Sequence, residues 1–425
     1  MTAVVPTVNQ PICLRRPALR PWCVRAHIAR PVVTAVLDRA PVRVTMPDGT
    51  SLGGGRDADA PTLRILQPTA LFERMAHHPK IGLGEGYMAG DWDAAPGTDL
   101  ADALLPFAQR LTTLVPPVLH RMRRVVDRRI PAGTRNTLVG SRKNIEAHYD
   151  LSNDLFEAFL DETLSYSSAL FDRSRPLAEQ TLAEAQRAKI EAVLDAADVT
   201  AGARVLEIGT GWGSLAIAAA RRGATVTSIT LSHEQAALAR ERVAAADRDE
   251  PGLAERIEVR LQDYREVTGE FDAIVSVEMI EAVGEEYWPT YFRAIDGLLA
   301  PGGVAAIQSI LMSHERYRAT RHSYGWIQKH IFPGGLIPSE RAIEETTRVH
   351  TSLRITDTRR FGRDYAETLR RWRATFLQEW PTIAAGGFDE TFRRKWEFYL
   401  AYCEAGFAAD YIDVAQIRLE RQETR

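Results

Sequence analysis

The chain has 425 residues, 45% of them hydrophobic, and a formal net charge of −3; this length implies two or three domains of about 150 residues, with enough apolar material for packed cores. The charge balance excludes a dedicated nucleic-acid binder, and Cys13, Cys23 and Cys403 have neither metal-ligand spacing nor the density of a disulfide scaffold, so no metal is expected and the setting is the cell interior. Arginines interrupt the early apolar runs and no run reaches the ~20 apolar residues that span a bilayer, so any membrane contact is expected to be peripheral, on the inner face of the plasma membrane.

Residues 1–40, rich in Pro and Arg, read as a loose basic arm: Arg15, Arg16, Arg20, Arg25 and Arg30 precede the first acid, Asp38. Residues 41–110 read as a small α+β domain, in which "VRVTMPDGTSLGGG" predicts a short hairpin and "PTALFERMA" a helix. A basic connector follows over 111–143, with paired prolines and a Pro-Ala-Gly turn. Its run "HRMRRVVDRR" sets Arg121, Arg123, Arg124, Arg128 and Arg129 against Asp127 alone, among Met122, Val125 and Val126. Such a helix suits an anionic bilayer surface, and suits a solvated helix face equally well. Residues 144–425 then alternate strand-like and helical patterns, as a mainly parallel α/β sheet requires. Strands are predicted over 203–208, 225–230, 257–261, 273–277 and 304–310; a helical insertion follows Ile310, and "YIDVAQIRLE" suits a last strand.

The stretch "VLEIGTGWGSLAIAAA" runs from the first of these strands into a glycine turn and then a helix. Gly209, Gly211 and Gly213 alternate, leaving backbone that a ligand can approach without meeting a Cβ. The third glycine of a dinucleotide turn is missing, since Leu215 and Ala216 stand in that region and Trp212 adds bulk, which disfavours a pyrophosphate. Glu207 followed by Gly-x-Gly-x-Gly resembles the first motif of the class I S-adenosylmethionine (SAM) methyltransferases.

Ligands of open α/β sheets sit beyond the carboxyl ends of the strands. There "TLSHEQ" offers Thr230, Ser232 and Gln235, with a capped helix start at Ser232 as the plainer reading, and "LQDYRE" offers Asp263 for an adenine amine. Upstream, "HYDLSNDLFEAFLDETLSYSSALF" gathers His148, Tyr149, Tyr166, Ser167 and Ser168 around a short amphipathic helix, a lid over the cofactor or a packing helix. "VSVEMIEAVG" puts Glu278 and Glu281 after the fourth strand, where buried carboxylates need a partner or a purpose, and one is expected to face a cation.

Taken in order, "HYDLSND", "LSYSSALF", "EIGTGWG", "TLSHEQ", "EMIEAVG", "IFPGGLIPS", "DYAETLRRW" and "LAYCEAGF" resemble the cyclopropane-fatty-acyl-phospholipid synthase and mycolic-acid cyclopropane synthase family over residues 144–420, and "IGLGEGYMAGDWD" resembles the first domain of its longer bacterial members. The resemblance implies a class I SAM-methyltransferase fold and transfer of a methyl group from SAM to a cis double bond in a phospholipid acyl chain. It implies cofactor contacts at Tyr166, Ser167, Glu207, Gly209, Gly211, Gly213, Thr230, Gln235, Asp263 and Tyr264. It also implies a bound bicarbonate as base, whose site falls on Ser168, Glu281, Gln308, the Ile310 amide and Tyr365. Ser168 and Gln308 stand where the family has Cys and His, and Ala282 where it usually has a second His; both replacements still hydrogen-bond an anion.

Base placement decides between ring closure and a hydride shift that ends in an exocyclic methylene. "EMIEAVG" and "AIQSI" resemble the actinobacterial branch that makes 10-methyl (tuberculostearic-type) acids, in which a separate flavin enzyme reduces the methylene product. Methylene formation on an oleoyl chain is therefore the expectation, with cyclopropane formation as the alternative. A small-molecule methyltransferase would carry the same glycine loop but needs neither the basic helix nor an acyl channel. A catalytically silent lipid-binding module would explain Ser168, Ala282 and Gln308 but not Tyr166, Glu281 and Tyr365. Trp326, Ile327, Ile331 and Phe332, with Phe398, Tyr399, Tyr402 and Phe407, could line an acyl tunnel, though such faces are more often core. A homo-oligomer is left open.

Overall fold

The computed structural model describes residues 24–57, 59–114 and 152–422. The basic run of the connector, most of the arm, His148 and Tyr149 lie outside the described residues. The described end of the arm is not loose: Val24–Leu37 is helical, with Pro31 inside it. Among the described residues no helix is long and apolar enough to cross a membrane.

The chain divides into two compact units, the first comprising Met1–Arg129, Ser323–Ile331 and Trp372–Tyr411, the second Ile130–His322, Phe332–Arg371 and Ile412–Arg425. In the first unit, β1 (Arg43–Thr45) pairs antiparallel with β2 (Ser51–Leu52), as the Pro-Asp-Gly turn predicts, and parallel with β3 (Thr62–Ile65), which pairs with β4 (Trp92–Ala94). The helix Pro79–Met88 carries glycines at alternate positions, each costing roughly 1 kcal/mol of helix stability. The reason is close packing: a Cβ on Gly84 would lie 2.5 Å from Trp326 Nε1 and 2.8 Å from Phe398 Cε1. Trp326 and Phe398 are buried and meet edge to face at 4.9 Å, with Tyr87 and Trp92 also against Phe398. These two expected tunnel residues are thus aromatic core of the first unit. Two ion-pair groups complete it: Arg394 sits 4.0 Å over the Tyr87 ring and 3.0 Å from Asp93, and Arg373 bridges Asp99 and Glu404.

The second unit is built on a seven-stranded sheet in the order β10-β11-β9-β8-β5-β6-β7. Its strands are β5 (Arg204–Ile208), β6 (Thr225–Thr230), β7 (Ile257–Leu261), β8 (Phe271–Val277), β9 (Leu299–Met312), β10 (Leu353–Arg360) and β11 (Ile412–Arg421). The first five run parallel, and β11 and β10 close the edge antiparallel. β5 lies between β6 and β8, so the order reverses there and opens a crevice at its carboxyl end. Both faces are covered. Leu206 and Ile208 pack toward Trp288, Tyr291 and Phe292, while Val205 packs toward the helices Leu182–Ala196 and Ser214–Arg221. β10, which the sequence patterns do not predict, is an edge strand whose exposed residues are Thr356, Asp357, Arg359 and Arg360 rather than an alternating apolar set.

Candidate active site

The crevice at β5 is a cavity walled by the strand ends and by residues 164–167. Gly209 and Thr210 donate their N–H groups to the Ile229 carbonyl, tying the turn to β6. Gly209 and Gly213 take φ of +100° and +89°, which glycine adopts without strain. A Cβ on Gly209 would also lie 2.6 Å from Met279 Cγ, and one on Gly211 would project into open space. Such a cradle suits a ligand pressed against main chain. Tyr166, Ser167, Glu207, Gly209, Gly211, Thr230, Gln235, Asp263 and Tyr264 all line the cavity, whereas Gly213 does not: it starts the helix Ser214–Arg221 and abuts Ala239.

Local bonds hold these side chains. Thr230 Oγ1 donates to Gln235 Oε1 at 2.9 Å, and Ser232 caps the next helix by accepting from Gln235 N–H at 3.2 Å. Ser232 is thus the cap of the plainer reading. Both Asp263 oxygens are gripped by the Arg265 guanidinium at 2.8 and 2.6 Å, so an adenine amine would share an already paired carboxylate. Glu207 Oε2 is 2.5 Å from Ser228 Oγ, and burial pushes its pKa up to about 8. Asn153, in the helix Asn153–Phe159, accepts from Trp212 Nε1 at 2.9 Å, and Phe156 packs on Trp212 and Tyr166. The segment before the sheet therefore lies against the glycine turn.

At the end of β8, Glu278 also lines the cavity. Its φ of +53° is the left-handed region, costly for a residue with a Cβ by roughly 1–2 kcal/mol. The carboxylate it presents there collects three donors: Ser168 N–H at 2.9 Å, Gln308 Nε2 at 2.9 Å and Tyr365 Oη at 2.7 Å. Burial raises its pKa, and these three bonds oppose the rise. Glu281 stands apart, accepting from Ser309 Oγ at 2.9 Å and Ile310 N–H at 2.5 Å on one oxygen, while its Oε2 is buried with no hydrogen-bond partner among the described residues. Burial, and next the Glu278 charge, push Glu281 up to about 8. The structure therefore brings Ser168, Gln308 and Tyr365 together around Glu278 and gives the Ile310 amide to Glu281. Of the donors expected to hold bicarbonate, Gln308, Tyr365 and the Ile310 amide already face a carboxylate of the chain, and the Ser168 hydroxyl donates to the Ala169 carbonyl while its N–H faces Glu278. The partners of the two glutamates are mostly neutral, where a facing cation was expected; Lys189 acts on Glu278 through its charge.

The family model of the mycolic acid cyclopropane synthetases matches residues 137–417. The chain belongs to that family. It is a SAM-dependent methyltransferase by that membership, and the cradle described above fits the cofactor. Tuberculostearic acid methyltransferase UfaA1 of Mycobacterium tuberculosis is 50% identical over 400 residues, covering 93% of this chain and 92% of its own. Cyclopropane-fatty-acyl-phospholipid synthase of Escherichia coli is 33% identical over 379 residues, covering 88% and 90%. Among solved structures, mycolic acid cyclopropane synthase CmaA1 complexed with SAH and CTAB superposes with a TM-score of 0.59 at 30% identity, covering 66% of this chain and 98% of that one. The class I methyltransferase fold and the membership read from the motifs thus stand. What the motifs did not single out is Glu278 as the shared partner of Ser168, Gln308 and Tyr365; its signal was a second carboxylate three residues before Glu281, at a strand end.

Proposed function

We propose that this enzyme transfers a methyl group from SAM to the cis double bond of an oleoyl chain held in a phospholipid, and releases a 10-methylene-octadecanoyl chain. The carrying observation is the Glu278 carboxylate, held by Ser168, Gln308 and Tyr365 on the wall of the cofactor cavity. SAM supplies the electrophilic methyl group, and the chain's own residues supply the rest.

The alkene is a weak nucleophile, so alignment and exclusion of water carry much of the rate. Methyl addition to one alkene carbon leaves positive charge on its neighbour, and a buried carboxylate nearby stabilises that charge. A hydride then moves from the methylated carbon to the cationic one. A C–H bond of the new methyl group breaks, its electron pair forms the exocyclic double bond, and the proton goes to Glu278. Desolvation makes this carboxylate a stronger base than an exposed one, while three hydrogen bonds fix its direction. Glu278 takes the role that the resemblance assigns to bicarbonate, and Glu281, held up near 8, stays largely protonated beside it.

The departure from the ring-forming arrangement supports the methylene outcome. An acceptor anchored to the end of β8 meets the cation from a different position than an anion held among Cys, Glu, His and Tyr. The similarity to a tuberculostearic acid methyltransferase supports it too. A flavin-dependent reductase would then saturate the methylene. The basic connector docks the enzyme on the anionic inner face of the plasma membrane, where its substrate lies. Incubation of the purified protein with SAM and dioleoyl phospholipid vesicles, then mass spectrometry of the released acids, should show oleate converted to a chain one methylene unit heavier. Methylation of a soluble amine with no change in the lipid would reject the reading.

A further inference from the structure

Among the described residues, the cavity wall carries one cation that the reaction scheme leaves without a task. Lys189 is 3% exposed, lines the cavity, and lies on the helix Leu182–Ala196. That helix is set by a capping box, with Thr181 accepting from Glu184 N–H and Glu184 accepting from Thr181 N–H. Gln186, on the same helix face, donates to the carbonyls of Ser167 at 2.9 Å and Ser165 at 3.3 Å. Lys189 Nζ then donates to Ser167 Oγ at 2.6 Å, its one hydrogen-bond partner among the described residues. An ammonium has three donors, so two remain to be used inside a nearly dry wall. Three carboxylates face it through their fields, Glu278, Asp161 and Glu207, and none of them hydrogen-bonds it.

The layout of the cavity says what those donors meet. Asp263 and Tyr264 follow β7, two strands beyond β5 in the sheet order, and mark one end. Glu207 is on β5, its charge acts on Lys189, and Ser167 is bonded to Lys189, so these three lining residues share the β5 side of the cavity. The cation and the carboxylate there, Lys189 and Glu207, form a complementary pair for a zwitterion. We propose that Lys189, with Ser167, binds the α-carboxylate of the amino-acid end of the cofactor. The inference rests on the SAM reading and extends it to a residue that neither the motifs nor the base site assigns. Burial, which holds Lys189 down at about 8 and Glu207 up at about 8, agrees: each is stabilised in its charged form when the opposite charge of a zwitterion arrives.

The test separates the amino-acid end from the nucleoside. Intact wild-type and Lys189→Met proteins are titrated calorimetrically with S-adenosylhomocysteine and with 5′-methylthioadenosine, a nucleoside thioether lacking the amino-acid end. Loss of a charged hydrogen bond predicts about ten- to hundredfold weaker binding of S-adenosylhomocysteine by the variant, with 5′-methylthioadenosine unchanged. Equal weakening of both ligands would mean a merely structural lysine, and no weakening of either would mean no contact; both overturn the proposal. Failure of both ligands to bind wild-type protein would instead reject the SAM reading beneath it. Should Lys189→Met not fold, Lys189→Gln keeps a polar contact for Ser167, removes the charge and must give the same split.

Discussion

Glu278→Gln removes the proposed base while keeping its shape. The carboxylate accepts from Ser168 and Gln308 on one oxygen and from Tyr365 on the other; a Gln amide keeps the first two on its carbonyl oxygen while its NH2 donates to the Tyr365 hydroxyl, so the packing survives and no proton can be taken. Losing a general base predicts a drop in kcat of roughly 10²- to 10⁴-fold, or about 3–5 kcal/mol of barrier, with SAM affinity nearly unchanged. Glu278→Gly sharpens the test. It relieves roughly 1–2 kcal/mol of left-handed strain at φ +53° and leaves three donors around an unfilled anion site. Added bicarbonate should then restore part of the turnover in the Gly variant and none in the Gln variant. The assay is the rate of C19 acid formation from dioleoyl phospholipid vesicles, with and without bicarbonate. Near wild-type turnover by Glu278→Gln, or strict bicarbonate dependence of the wild-type enzyme, would refute the built-in base.

Gly211→Val should abolish SAM binding, because its Cβ enters the open cradle and a β-branched residue resists φ of +51°; unchanged calorimetric affinity in the folded variant would contradict this. Glu281 carries a folded pKa of about 8 against 4.5 as the reference, so the native state holds a proton that the unfolded chain releases above 4.5. Its contribution to stability is full below that value and is lost as pH rises toward 8. Thermal melts across that window should therefore fall less steeply with pH in Glu281→Gln than in wild type, and parallel curves would refute the protonated state. Replacing Arg121, Arg123, Arg124, Arg128 and Arg129 by Gln should weaken binding to anionic vesicles, at roughly 1 kcal/mol per arginine, and high salt should weaken it in wild type; sedimentation with such vesicles measures both.

The parallel core was legible because β5, β8 and β9 read as largely apolar runs and β6 as a β-branched one, and the glycine turn announced the crevice. β10 was not legible: as an edge strand rich in Arg and Thr it lacks the alternation that marks a half-buried strand. The helix Val24–Leu37 was hidden by its internal proline and by arginines that look like a solvated arm. Trp326 and Phe398 looked like tunnel walls because an apolar helix face has the same pattern whether it meets a ligand or a neighbour. Their partner is the glycine face of Pro79–Met88, distant in sequence. The base site divides in the same way. Its residue types were readable, but Glu278 meets Ser168, Gln308 and Tyr365 across 110, 30 and 87 residues of chain, and a left-handed backbone at a glutamate leaves no mark in the sequence.

The central claim is the fate of the cation, and NMR of the product reads it directly. Mass does not, because methylene and cyclopropane acids have the same composition. The enzyme is incubated with SAM and dioleoyl phospholipid vesicles without a reductase, and the C19 acid is isolated for proton NMR. Vinylidene signals as the dominant product are the predicted result. Upfield ring-proton signals as the dominant product would contradict the account and make this chain a cyclopropane synthase.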